Sequence, residues 1–238
     1  MARFPPALPH GHIEEALPDV FYVRGRFPMK PGLAIGRTMT ILRQGRSLTL
    51  VNAMRLDDAG EVALAELGEV QHVVRIGMAH DRDDPYVVDR YGARFWALPK
   101  MRHGFGLEPH ELLSEDGALP LDDASLFVFR NARGPEAALH LPVAGGLLVT
   151  CDCAQNHADT AWASLLGKLA TRVLGLHKPG QIGPPGLKFM QRPGGPPMAE
   201  DFRRLCELEF RHLISGHGPP LLETAREALR ARVRETFA

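Results

Sequence analysis

Residues 145–157 read GGLLVTCDCAQNH, and the fold is decided at this stretch. Two glycines make a turn. Leu147, Leu148, Val149 and Thr150 form an apolar, partly β-branched run of the kind that makes a strand buried on both faces. The run stops at Asp152, between Cys151 and Cys153. A carboxylate at the end of a buried strand must be met by a cation or by hydrogen-bond donors. In open α/β sheets such strand ends are where sites gather.

Working outward, the first half reads β-β-β-α-β-α-β. Strands are expected at 20–23 (VFYV), 38–42 (TMTIL) and 47–51 (SLTLV), the last two joined by a turn at Gln44-Gly45-Arg46, with residues 27–36 as a Pro/Gly loop. Asp57 or Asp58 can cap a helix ending at Leu67 and Gly68. A strand follows at 70–76, then a polar loop, GMAHDRDD, at 77–84. A helix then opens at Pro85, with Asp84 as its N-cap, and a strand follows at 95–98. The second half offers strands at 126–129, 137–141, 147–150 and 210–214. Helices are expected at 160–174, 199–208 and 221–237. The first of these has Trp162, Leu165, Leu166, Leu169, Val173 and Leu174 on one broad face, which reads as core. Residues 177–197 are Gly/Pro-rich and are expected to cover a pocket mouth or to pack on a second copy of the chain in a homodimer. The expected organisation is an extension at 1–17 and one α/β (α+β) domain at 18–238. That domain is a four-layer αββα sandwich of two sheets with helices outside.

Composition narrows the function classes. Lys plus Arg and Asp plus Glu both number 28, so no basic bias favours nucleic acid. No apolar run is long enough to span a membrane, and none is expected to engage one. Three cysteines, two of them two apart on one strand, make no disulfide framework and suit a reducing, cytoplasmic setting. Cys151 and Cys153 point away from the Asp152 side and read as small buried residues.

Three histidine and carboxylate groups end strands expected to be neighbours: His80, Asp152 and His217. Two imidazoles and one carboxylate suit a zinc or iron ion with an open position for water. The same three groups also suit a metal-free hydrogen-bonded triad. Other residues that could line the pocket are Asn52, Arg82, Asp84, Glu136, Asn156 and His157, with His157 a fourth ligand candidate. Arg82 could receive an anion, and Glu136 opens a strand in a place where a solvated side chain is expected.

The element order and three loop sequences resemble the metallo-β-lactamase-like hydrolase fold from about residue 18 onward. LISGHGPP (213–220) resembles its last metal-ligand loop, which makes His217 the implied ligand. LLVTCDCAQN (147–156) resembles the strand ending in its bridging Asp, here Asp152. The early hairpin ending in Asn52 resembles a strand that usually ends in Asp. The chain departs from the pattern at the His-x-His-x-Asp-His loop, where GMAHDRDD supplies only His80, and in NARGPEAALH (131–140), which lacks the family's middle histidine. The resemblance implies a hydrolase acting on an ester, thioester or lactone, with one zinc or iron ion or none. Asp152 would then be both ligand and catalytic group, orienting the water. The competing expectation is a non-catalytic protein of this fold that binds a small molecule or a protein partner without metal.

Overall fold

The computed structural model describes residues 3–182, 187 and 190–237. A seven-stranded sheet is laid down in sequence order: β1 (Glu14–Leu17), β2 (Val20–Lys30), β3 (Leu33–Gln44), β4 (Ser47–Val51), β5 (Glu69–Arg75), β6 (Arg94–Ala97) and β7 (Glu111–Leu112). It is antiparallel through β4 and parallel from there. The switch follows from the connections. A short turn at Gly45 can only reverse the chain, whereas α1 (Asp58–Leu67) and α2 (Asp84–Tyr91) provide the crossovers that parallel strands require. The second sheet has four strands in the order β11-β10-β9-β8: β8 (Ser125–Val128), β9 (Ala137–Leu141), β10 (Leu147–Thr150) and β11 (His212–Ile214). Further helices are α3 (Leu165–Val173), α4 (Ala199–Leu205) and α5 (Ala225–Thr236).

Burial sorts into the layers of an αββα sandwich. Between the sheets, Val20, Leu42, Val51, Val74 and Trp96 meet Leu126, Leu139, Leu147, Val149 and Ile214. Outside the first sheet, α1 and α2 bring Leu64 and Val87 onto Val23, Ile41, Leu50 and Phe95. Outside the second, α4 and α5 bring Phe202, Leu205, Leu229 and Val233 onto Phe127, Leu148 and Leu213. β10 is central, antiparallel to β9 and parallel to β11, and its four residues are buried. Leu147 and Val149 face the other sheet while Leu148 faces the helices, which is why the run reads as continuously apolar.

Four local expectations change. Residues 27–36 are not a loop: β2 and β3 continue as a long hairpin that pairs Pro28 with Ala34 and turns at Gly32. β2 has lost its β1 neighbour there and is an edge strand, so the missing N–H of Pro28 breaks no ladder. Within 1–17, Glu14–Leu17 adds the edge strand β1, and His10 bridges to Gly25. The N-cap of α2 is Asp83, without a capping bond, and Asp84 is its first helical residue.

The fourth change concerns α3, which is shorter than residues 160–174 and turned inside out. Gly167 and Thr171 are its buried residues, and Leu165 is 84% and Val173 76% exposed. The helix sits directly on the β3 backbone. A Cβ at Gly167 would lie 2.1 Å from the Ala34 carbonyl oxygen, so only the helix's small side fits inward.

Candidate metal centre

The site is made where the two sheets meet at their strand ends. β10 and β11 run parallel, with Val149 beside Ile214, so the loops that follow them emerge together and carry Asp152 and His217. The His217 loop, Ser215-Gly216-His217-Gly218, lies along β3. Thr38 N donates to Gly216 O at 2.8 Å, and Thr38 Oγ1 to Gly218 O at 2.7 Å. Gly218 has φ 77°, and a Cβ there would fall 1.6 Å from Asn156 O, so this turn demands glycine. From the other sheet, the end of β5 joins the start of β9: Ala137 N donates to Ile76 O at 2.7 Å, and Gly77 bridges to Glu136. That link fixes the loop carrying His80. His80 itself has φ 71°, a left-handed conformation costly for a non-glycine residue and one that clusters at functional sites.

The three donor atoms converge. His217 Nε2 is 2.9 Å from Asp152 Oδ1, His80 Nε2 is 3.1 Å from His217 Nε2, and His80 Nε2 is 3.5 Å from Asp152 Oδ1. Ligands bound tetrahedrally at about 2.0–2.1 Å stand about 3.3 Å from one another, so these separations fit one ion. The tautomer points the same way. His217 Nδ1 lies 2.7 Å from Gly36 O, which can only accept, so Nδ1 carries a proton. In a neutral ring Nε2 is then a lone pair facing a carboxylate oxygen. Two acceptors in contact require either a protonated imidazole or a cation between them. A carbonyl that sets a ligand's tautomer is the usual outer support of a metal-bound histidine.

The electrostatics reflect this crowding. Burial pushes the Asp152 carboxyl upward, but the charge of His80 and hydrogen bonds from His217 and His80 outweigh it and hold the group well below the usual carboxylate range. Burial lowers His80. It acts on His217 in the same direction, yet the hydrogen bond and charge of Asp152 raise that imidazole.

A cavity of about 290 Å³ opens on the three donors, lined also by Phe27, Met29, Ile35, Arg37, Ala79 and Asp81. The hairpin therefore forms its wall. Gln181 exchanges backbone hydrogen bonds with Gln155 (2.7 and 3.1 Å), and Ile182 is buried outside the second sheet. Gln191 bridges to Ala132. Among the described residues of 177–197, none lines this cavity. Residues 183–186 and 188–189 of the expected cover lie outside the described residues.

The remaining candidates stand around this group rather than in it. His157 stacks on His217 with ring centres 5.5 Å apart, and its Nε2 lies 2.8 Å from Gln155 Oε1; burial and the charge of His217 push its pKa down to about 3. Asn156 donates to Pro219 O at 2.9 Å and so braces the His217 loop. Asn52, at φ 56°, donates to Thr150 O at 3.0 Å and ties β4 to β10. Arg82 pairs with Asp83 and donates to Pro6 O. Glu136 is buried, not solvated. Its Oε1 accepts from the backbone N–H groups of Asp152 and Cys153 at 3.0 and 3.1 Å, which aims Asp152, and burial and the Asp152 charge raise its pKa well above normal. Sequence reasoning missed Arg37, which is buried, lines the cavity and pairs with Asp83. It falls between the loop expected at 27–36 and the strand expected at 38–42, and nothing in the sequence marks Asp83 as its partner.

Asp84 is buried beside Arg75, with Oδ2 3.9 Å from Nε, and burial pushes its pKa up to about 7. Unfolded, it titrates near 3.9. Between those values the folded chain holds one proton more than the unfolded chain, so this group's contribution to stability falls as pH rises from about 4 to about 7 and is flat above. Three pKa units correspond to about 4 kcal/mol. Asp84→Asn should therefore gain a few kcal/mol relative to wild type between pH 5 and 8 in urea unfolding. A mutant-to-wild-type difference that does not move with pH would show that Asp84 is ionised in the fold throughout.

No family model matches the sequence, and no curated protein matches it. Solved structures do. The metallo-β-lactamase FIM-1 from Pseudomonas aeruginosa in its mono-zinc form superposes with a TM-score of 0.64 at 14% identity, over 98% of each chain. A metallo-β-lactamase from Hirschia baltica superposes at 0.63 and 15% identity, over 96% of this chain and 98% of that one. DIM-1 metallo-β-lactamase, exposed to ceftazidime, gives 0.63 at 11% identity, over 98% and 100%. At these identities the likeness is one of fold, and the fold is that of the metallo-β-lactamases.

Proposed function

We propose that this chain, which has the metallo-β-lactamase fold, is a hydrolase of an ester, thioester or lactone that works with one zinc or iron ion held by His80, Asp152 and His217. The observation that carries this reading is the convergence of three donor atoms: with its Nδ1 bound to Gly36 O, His217 turns Nε2 to the point where Asp152 and His80 also meet. Bound there, such an ion would lower the pKa of a water and polarise a carbonyl. Asp152 Oδ1 faces the imidazoles, and Oδ2 takes no hydrogen bond among the described residues. Oδ2 is thus the acceptor that orients an attacking water and receives its proton. Glu136 keeps that carboxylate aimed through two backbone N–H groups. Phe27, Met29 and Ile35 offer an apolar wall to the acyl part of a small substrate and shed water from it.

One observation favours the metal-free alternative, in which the cavity binds a small molecule or protein partner without chemistry. Asp83 and Asp84, next along the loop from His80, turn back onto Arg37 and Arg75 and add no ligand to the three donors. Metal analysis of protein purified without a histidine tag separates the two. The hydrolase reading expects about one zinc or iron per chain, hydrolysis within a panel of aryl esters, thioesters and lactones, and loss of both on chelation. Metal-free protein that takes up neither ion on titration would leave the binding reading.

A further inference from the structure

The apolar arc of α3 has no partner among the described residues. Leu165, Leu166, Leu169 and Val173 are 84, 56, 59 and 76% exposed. At about 100° per residue they fill one arc of the helix, and Lys168 and Arg172 stand together on one flank of it. Both cations are exposed, and neither pairs with an acid among the described residues. The side turned to the fold carries Gly167 and Thr171, so the outward arc is not a core face left half-covered. Leu166 lies at the hairpin tip, 3.5 Å from where a Gly32 Cβ would stand, and the tip adds exposed Met29 and Lys30. Met29 also lines the cavity, so this surface runs on to the cavity mouth.

Along the sequence this region is one-sided in charge, although Lys178 pairs with Glu235, and Asp159, which lines the same groove as Lys168 and Arg172, pairs with Arg24. From Thr160 through Ala199 there is no Asp or Glu, while Lys168, Arg172, Lys178, Lys188 and Arg192 fall within that stretch, in a chain that as a whole carries 28 of each sign. A second copy docked about a two-fold axis would set this arc against itself, cation against cation, with no acid from the same stretch to offset them. A nine-residue helix is also only about 13 Å long, short for the roughly 800 Å² that each partner gives a stable interface. An anionic bilayer meets both features of the arc, with hydrocarbon for the leucines and diffuse negative charge for the lysine and arginine.

We propose that α3 and the tip of the β2–β3 hairpin dock the chain on anionic membrane surfaces, with the helix lying in the interface and the cavity mouth beside the lipid. No described helix is long and apolar enough to cross a membrane; an interfacial helix needs neither property. Vesicle co-sedimentation tests this without any assay of hydrolysis. Wild type should bind vesicles of phosphatidylcholine with phosphatidylserine roughly tenfold or more better than phosphatidylcholine alone, and raised salt should release it. Lys168→Glu with Arg172→Glu, and separately Leu165→Gln with Leu169→Gln, should each weaken binding at least roughly tenfold. All four side chains are exposed, and an unchanged circular dichroism spectrum and melting temperature would confirm that the variants fold. No binding by the wild type, or equal binding to both vesicles, would overturn the proposal. So would a wild-type dimer by light scattering that the leucine variants convert to monomer, because a second copy would then own the arc.

Discussion

Asp152→Ala is expected to abolish both bound metal and hydrolysis, the latter by roughly three orders of magnitude or more. Loss of several kcal/mol of charge stabilisation at about 1.36 kcal/mol per decade leads there. The substitution removes the one anion among the three donors and leaves two imidazole nitrogens 3.1 Å apart with nothing between them to hold a cation. His217→Ala should do the same from the other side, deleting the ring whose orientation Gly36 O fixes. Asp152→Asn is the sharper form. It keeps the side chain's shape, so stability should change less than in Asp152→Ala while metal and activity are still lost. Metal content, rates and urea unfolding on the three variants check the set. If the wild type holds no ion and the variants lose only stability, the triad is a structural hydrogen-bonded group.

Arg37→Ala should destabilise the fold by about 3 kcal/mol or more, because it leaves Asp83 buried without its main partner. Both side chains are almost fully inaccessible, at 2% and 1%. Arg82, also on Asp83, remains and keeps the loss toward the low end of the usual 3–5 kcal/mol. For a domain of this size the melting temperature should fall on the order of 10 °C. Arg37→Met combined with Asp83→Leu should recover much of the loss, since replacing both members of a buried pair by apolar groups is often neutral. If the single variant loses less than about 1 kcal/mol, Arg82 or solvent satisfies Asp83 alone and the pair is incidental.

The parts of the site that were legible in the sequence are those that local chemistry dictates. A buried run ending in Asp152, and a histidine between two glycines after another strand, announce themselves without knowledge of neighbours. The supports are not local. Glu136 reads as a solvated strand start, and only the docking of β9 against the Asp152 loop buries it. Arg37 needs Asp83, 46 residues away. The hairpin was hidden by Pro28, which an edge strand tolerates, and by Pro31 and Gly32, which form its turn. The helix at α3 was visible, but its orientation was not. Periodicity reports that a helix has an apolar face and is silent on what that face meets; here Gly167 and Thr171, not the leucines, turned inward.

The order in which the chain is synthesised gives one further consequence of drawing the donors from both sheets. A nascent chain has completed β1 to β7 by residue 112, when His80 exists but neither Asp152 nor His217 does. Donor capture therefore cannot nucleate the first sheet. Until the second sheet arrives, the inner face bearing Val20, Leu42, Val51, Val74, Ile76 and Trp96 has nothing to pack against. A growing chain paused in that interval presents both an adhesive surface and an unfinished site, and is the species most exposed to misassembly.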